Sequence, residues 1–199
     1  MSGGRATAES GESNGAAGPR LAAEPGRNAM TRTVTYTLRS TKLGLLLVAA
    51  SERGVCHVRF GASRSALEAA LARELPCAAL GRGGARVERW ADTLAAACEG
   101  RADARGIPLD VAGSRFQRRV WDALRRIPRG AQRGYGELAA ALGRPGAARA
   151  VARACATNPA PLAVPCHRVV PKTGGAGGYR FGSWRKRALL AVEAQPRSS

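Results

Sequence analysis

Two residue types suited to nucleophilic chemistry stand side by side as Cys166 and His167, inside the stretch Asn158-Pro159-Ala160-Pro161-Leu162-Ala163-Val164-Pro165-Cys166-His167-Arg168-Val169-Val170. A free thiol has a pKa of about 8.5, so it is a poor nucleophile at neutral pH unless a base or a positive charge lies beside it. His167 is the candidate base. Three prolines and an apolar run put the pair on a stiff, extended and buried segment, where neighbouring side chains point to opposite faces. A direct Cys166–His167 hydrogen bond then requires a turn in the backbone or a bridging water. Glu193, the only acid after Glu137, closes a helix expected over 183–194 and can fold back to orient His167. Acid, imidazole, water and thiol would form a coherent proton relay. The competing reading is structural: a buried cysteine often serves as a small hydrophobe, and the histidine beside it as a satisfied core residue.

Other candidates offer less. His57 is expected on the strand face opposite Cys56, Val58 and Phe60, as a surface or edge residue. Cys56, Cys77 and Cys98 lack ligand spacing, and Cys155 reads as packing on an Ala-rich helix. Five cysteines without a Cys-x-x-Cys pair argue against a disulfide framework and a zinc ribbon; no metal is expected, and free thiols imply a reducing compartment.

The elements that must position these groups follow from patterning. Residues 1–30, rich in Gly, Ala, Ser and Glu, read as a disordered tail, with Met30 an alternative start. Val34, Tyr36 and Leu38 alternate as a strand, and 43–50 and 55–60 form a hairpin around Ser51-Glu52-Arg53-Gly54. Amphipathic helices are expected over 65–75 and 85–98, separated by Pro76 and the glycines at 81, 83 and 84. Residues 31–110 thus make a small α/β domain. Ser114-Arg115-Phe116-Gln117 is a capping box opening a helix with Phe116, Val120, Ala123, Leu124 and Ile127 on one face. A short helix over 135–142, the turn Gly143-Arg144-Pro145 and a helix over about 146–156, with Pro145 in its first turn, have helix-turn-helix spacing within a second domain, 111–195.

The 199 residues carry a net charge of +18 with pI near 11.4. Residues 114–199 hold 17 basic residues against Asp122, Glu137 and Glu193, a balance of +14, whereas residues 1–113 hold 15 against 11 acids. A polyanionic partner is expected on the second half. Apolar runs fall far short of the roughly 20 residues of a membrane span, and the N-terminus lacks the apolar core of a signal peptide, so a cytoplasmic protein is expected.

The block Pro165-Cys166-His167-Arg168-Val169, preceded by Asn158 and followed by Gly178-Tyr179-Arg180, resembles the active-site signature of the O6-alkylguanine-DNA alkyltransferases. Supporting blocks lie in order: Phe116-Gln117, Val120-Trp121, Ile127-Pro128, Tyr135 with Leu138-Ala139, Gly143-Arg144-Pro145, Ala147-Ala148-Arg149-Ala150-Val151, and Leu189-Leu190 with Glu193. The resemblance runs from about 33 to 194, is strongest after 113, and favours the alkyltransferase half of bacterial adaptive-response regulators. It implies an α/β fold in which a ribonuclease-H-like N-terminal unit precedes a helical, winged-helix-like catalytic domain. It also implies a single-turnover methyltransferase, without cofactor, that moves an alkyl group from O6-alkylguanine, and less readily from O4-alkylthymine, to Cys166. Its partner would be double-stranded DNA, entered through the minor groove by a monomer that extrudes the damaged base.

The resemblance assigns His167 and Glu193 to thiolate formation, Tyr135 to protonation of the leaving guanine and Asn158 to bracing the active-site turn. Arg149 would fill the hole left by the base, with Ala148 and Ala150 allowing close approach, while Pro161, Gly178, Tyr179 and Arg180 complete the substrate and DNA surface. Position 134 is Gly where relatives often carry Ser, and the 129–133 loop is unusually basic. Nothing Cys-rich precedes residue 56, so regulation through methylated zinc ligands is not expected. The rivals are a DNA-lesion sensor, in which the nucleophile is replaced, and a Cys–His hydrolase, which adjacency of the two residues disfavours.

Overall fold

The computed structural model describes residues 32–195. The expected tail at 1–30 lies outside the described residues. Strands β1 (Arg32–Thr41), β2 (Gly44–Ser51) and β3 (Gly54–Gly61) form an antiparallel meander. Helix α1 (Arg64–Glu74) leads to β4 (Ala78–Arg82), which pairs parallel with β1, giving the order β3-β2-β1-β4. Helix α2 (Ala85–Cys98) follows. The breaker-rich stretch after Pro76 therefore contains an edge strand that its sequence did not announce. Its five residues include none that is fully buried, so no apolar alternation marks them.

The two faces of the sheet are covered differently. Leu67 and Leu71 of α1 pack with Val34, Tyr36, Leu47, Ala49 and Cys56. On the other face, Val87, Ala91 and Leu94 of α2 join Leu46, Val48, Ala50, Val55, Val58 and Phe60 in a core that continues through Val120, Trp121 and Leu124 to Val164, Cys166 and Leu189.

His57 corrects an expectation. It is buried, 3% exposed, and Cys56 lies on its face rather than with Val58 and Phe60. A β-bulge puts Cys56 there: Ala50 pairs with Val55 while Ala49 pairs with His57, which leaves Cys56 as the extra residue. His57 itself stays opposite Val58 and Phe60 and is buried because α1 covers that face, with Glu74 3.4 Å from its Nε2.

The second half is helical: α3 (Arg115–Arg126), the two-residue β5 (Arg133–Gly134), α4 (Tyr135–Ala141), α5 (Ala148–Ala156), the two-residue β6 (Val169–Val170) and α6 (Ser183–Ala194). The capping box at Ser114 and Gln117 is formed. Pro145 lies in the turn before α5, not in its first turn, because the chain needs Gly146 at positive φ before the helix begins. Among the described residues no helix is long and apolar enough to cross a membrane.

The segment after α2 is tied to β3. The Val55 amide donates to the Pro108 carbonyl at 2.8 Å, and the Asp110 amide donates to the Val55 carbonyl at 2.9 Å. Gly54 permits this approach, since a Cβ there would sit 2.5 Å from the Pro108 oxygen. Gly54→Ala is therefore expected to lower stability by about 1–3 kcal/mol. Chemical denaturation checks this, and an unchanged midpoint would contradict the packing described.

Candidate active site

The site is assembled from the end of α5, the turn that follows, and α6. Trp121 of α3 donates from Nε1 to the Ala154 carbonyl at 2.9 Å, fixing α5 against α3. Just beyond α5, the buried Asn158 side chain makes three hydrogen bonds. Its Oδ1 accepts from the Ala160 amide at 3.0 Å, and its Nδ2 donates to the Val164 carbonyl at 2.8 Å and to Cys166 Sγ at 3.1 Å. Between these points Leu162 adopts φ +75°, a left-handed conformation costing about 1–2 kcal/mol for a residue with a Cβ. The Val164 amide closes the turn onto the Ala160 carbonyl at 2.9 Å.

Cys166–Arg168 forms a 3-10 turn rather than the extended segment expected from the prolines. The Arg168 amide donates to the Pro165 carbonyl, and Pro165 acts as the residue preceding the turn. Cys166 and His167 are buried, as expected, and still face different partners. His167 Nε2 lies 2.9 Å from Glu193 Oε1, so α6 brings in the acid that the sequence singled out. A carboxylate there makes Nε2 the protonated nitrogen and leaves Nδ1, buried and without a hydrogen-bond partner among the described residues, as a basic lone pair.

Arg168 completes the arrangement, and sequence reasoning gave it no role. It is buried and donates from Nε to Glu193 Oε2 at 2.8 Å, from Nη2 to Glu193 Oε1 at 2.7 Å, and from Nη1 to the Ile127 carbonyl at 2.7 Å. Burial alone would raise the Glu193 pKa, but the hydrogen bonds and charges of His167 and Arg168 outweigh it and hold the carboxyl at about 2. Burial lowers the His167 pKa against the pull of Glu193, so the imidazole is neutral and able to accept a proton.

Lys186 was also missed. Its ammonium, 1% exposed, donates to the Val169 carbonyl at 2.6 Å and lies 5.9 Å from the centroid of the Tyr135 ring. Burial pushes the Cys166 thiol up, while the Asn158 hydrogen bond and the charges of Lys186 and Arg180 oppose that rise. Only the position of Lys186 on α6, three residues before the buried Leu189, hinted that it faces inward.

A cavity of about 360 Å³ opens over Cys166, walled by Tyr135, Cys155, Pro171, Gly178, Tyr179 and Arg180. The β5–β6 pairing, Gly134 with Val170, delivers Tyr135 to this wall. Burial pushes the Tyr135 hydroxyl up to about 12, so it remains a protonated donor. The Tyr179 hydroxyl is buried with no partner among the described residues. Of the remaining expected residues, Arg149 is exposed on α5 beside Ala148 and Ala150, outside the cavity. Pro161 is buried in the Asn158-braced turn and does not line the cavity. A larger cavity of about 540 Å³, between α3 and α4, contains no nucleophile among its lining residues. Among the described residues no cluster of three or more His, Cys, Asp or Glu could hold a metal ion.

Residues 115–195 match the family described as 6-O-methylguanine DNA methyltransferase, DNA binding domain. The chain is 41% identical over 162 residues to the bifunctional transcriptional activator/DNA repair enzyme Ada of Escherichia coli (strain K12), covering 81% of this chain and 46% of that protein. It is 55% identical over 87 residues to the methylated-DNA--protein-cysteine methyltransferase of Mycolicibacterium paratuberculosis, 44% of this chain and 53% of that one. The chain spans about half the length of the curated relatives it matches. Among solved structures, that of Mycobacterium tuberculosis OGT in complex with DNA superposes with a TM-score of 0.67 at 35% identity, covering 80% of this chain and 92% of that one. With this fold, and with a cysteine, histidine and glutamate brought together in it, the chain belongs to the O6-alkylguanine-DNA alkyltransferase family.

The Glu193 geometry has a consequence for stability. A carboxyl depressed from 4.5 to about 2 contributes stability that is full above pH 4.5 and lost as pH falls through about 2. Glu193→Gln is expected to cost roughly 3 kcal/mol at pH 7, since it leaves buried Arg168 unpaired. It should also flatten the fall in stability between those pH values. Urea unfolding across pH checks both; a variant that keeps the wild-type acid dependence would contradict the assignment.

Proposed function

We propose that the chain repairs O6-alkylguanine in duplex DNA, and less readily O4-alkylthymine, by moving the alkyl group irreversibly onto its own Cys166. The observation that carries this reading is the placement of the Cys166 thiol. It is bonded by Asn158 from behind and lies in a cavity whose aromatic wall carries two buried or partly buried hydroxyls.

In the proposed reaction His167 accepts the thiol proton at Nδ1 through a water, while Glu193 and Arg168 hold the ring. The sulfur attacks the alkyl carbon in line; the S–C bond forms as the C–O6 bond breaks, and the electron pair leaves with the guanine. Tyr135 donates a proton toward the ring as it leaves and is reprotonated from solvent. The Tyr179 hydroxyl supplies a further hydrogen bond to the base. The thioether has no route back to a thiol, so each chain acts once.

A base stacked in a duplex cannot reach a buried sulfur, so the nucleotide must be extruded at a cost of a few kcal/mol. The M. tuberculosis relative is described in complex with DNA, which supports the same partner here. Helix α5 suits a minor-groove approach: Ala148 and Ala150 add little bulk beside Arg149, whose exposed side chain would occupy the gap in the stack. We assign DNA handling and chemistry to residues 111–195 and a supporting role to the α/β domain at 31–110, in a cytoplasmic monomer.

Excess duplex bearing O6-methylguanine should be demethylated in a burst equal to the amount of chain and then no further, and Cys166→Ala should show no burst. Continued turnover, or a burst in Cys166→Ala, would refute the proposal. Arg149→Ala is expected to slow repair of duplex by about tenfold or more while leaving reaction with free O6-benzylguanine nearly unchanged. Equal losses on both substrates would remove Arg149 from base extrusion.

A further inference from the structure

One wall of the Cys166 cavity is held from the N-terminal half. Arg180, which lines the cavity, donates from Nη2 to Glu74 Oε1 at 2.9 Å, and Glu74 is the last residue of α1. The same carboxylate is bonded by Arg59 of β3, and the buried His57 Nε2 lies 3.4 Å from its other oxygen. Three basic groups therefore converge on one acid. Next to Arg180 an aromatic chain makes the same connection: Phe60 of β3 meets Phe181 edge to face at 5.8 Å between centroids, and Phe181 meets Tyr179 at 5.7 Å. Arg180 itself lies 5.6 Å from the Phe181 ring centroid.

We propose that Glu74 is a positioning residue for alkyl transfer, fixing the Arg180 guanidinium in the cavity wall beside Cys166 and so giving the α/β domain a part in the chemistry. The inference rests on the reading of Cys166 as the acceptor. A guanidinium confined next to a buried sulfur favours the anion that attacks, whereas one free to swing into solvent is screened and does little. Arg180 is one of two charges that oppose the rise of the Cys166 thiol, the other being Lys186 from α6; the neutral Asn158 amide adds a hydrogen bond, and Tyr135, Cys155 and Tyr179 are the titratable groups that share the cavity. Glu74 faces Arg180, Arg59 and His57; burial above all, with the Arg180 and Arg59 charges, disfavours protonation of His57 against the pull of Glu74. The carboxylate therefore meets a neutral imidazole and two fixed cations at neutral pH.

The test uses the full chain and free O6-benzylguanine, so that DNA affinity does not enter. Rates of Cys166 alkylation are measured from pH 6 to 9 for wild type, Glu74→Gln, Arg180→Gln and the double variant. Glu74→Gln and Arg180→Gln should each slow the reaction by about threefold to tenfold near neutrality and move the rising limb to higher pH. The double variant should be no slower than Arg180→Gln alone. Glu68→Gln, which removes an acid from the same helix away from the cavity, should match wild type. Arg180→Lys keeps the charge but not the reach to Glu74, and it decides the matter if Glu74→Gln fails to fold: it should be slowed. A Glu74→Gln rate equal to or above wild type, additive losses in the double variant, or an Arg180→Lys rate equal to wild type would overturn the inference. A wild-type chain that does not react at all would overturn the proposed function along with it.

Discussion

Under the proposed reaction, a buried sulfur has to carry a negative charge, and that constraint governs the rest of the site. Removing a thiolate from water is costly, and the protein offsets that cost only with groups already in place when the charge develops. The Asn158 amide is the central one. Its single NH2 group holds the Val164 carbonyl and Cys166 Sγ together, so the geometry of the turn and the stabilisation of the sulfur depend on the same side chain. The left-handed Leu162 belongs to this turn, in which a strained residue is sustained by the hydrogen bonds on either side.

The remaining elements read as supports for that arrangement. Helix α6 contributes twice, with Lys186 toward the Val169 carbonyl and the Tyr135 ring and Glu193 toward His167. Arg168, together with His167, offsets the cost of burying the Glu193 charge, so the carboxylate that holds the imidazole stays ionised. The two-residue β5–β6 pairing is small, yet it sets where Tyr135 stands relative to the strand that follows Cys166. The sheet reaches the same region through the Val58 amide, which donates to the Pro159 carbonyl at 2.8 Å at the start of the braced turn.

Much of this was legible in the sequence because it rests on local rules. The Ser114 capping box and the limits of α2 and α6 follow from short-range pattern, and the pairing of an acid at 193 with a histidine at 167 was legible from residue chemistry, Glu193 being the one acid after Glu137. What the sequence hid depends on distant partners. The bulge at Cys56 is a mismatch of register with β2, and the burial of His57 comes from α1, which covers its face of the sheet and brings Glu74 beside it. The exposed edge strand β4 has no apolar rhythm to betray it. The prolines before Cys166 suggested an extended segment, whereas Asn158, eight residues away, bends it into a turn. The inward-facing Arg168 and Lys186 resemble any other surface cation until their buried acceptors are known.

The most direct measurement is the mass of the tryptic peptide containing Cys166 after the chain has met duplex DNA bearing O6-methylguanine. The account predicts one added methyl group, located by fragmentation on the Cys166 sulfur. A methyl group on Cys155, which lines the same cavity, or an unchanged peptide after the lesion has disappeared, would contradict it.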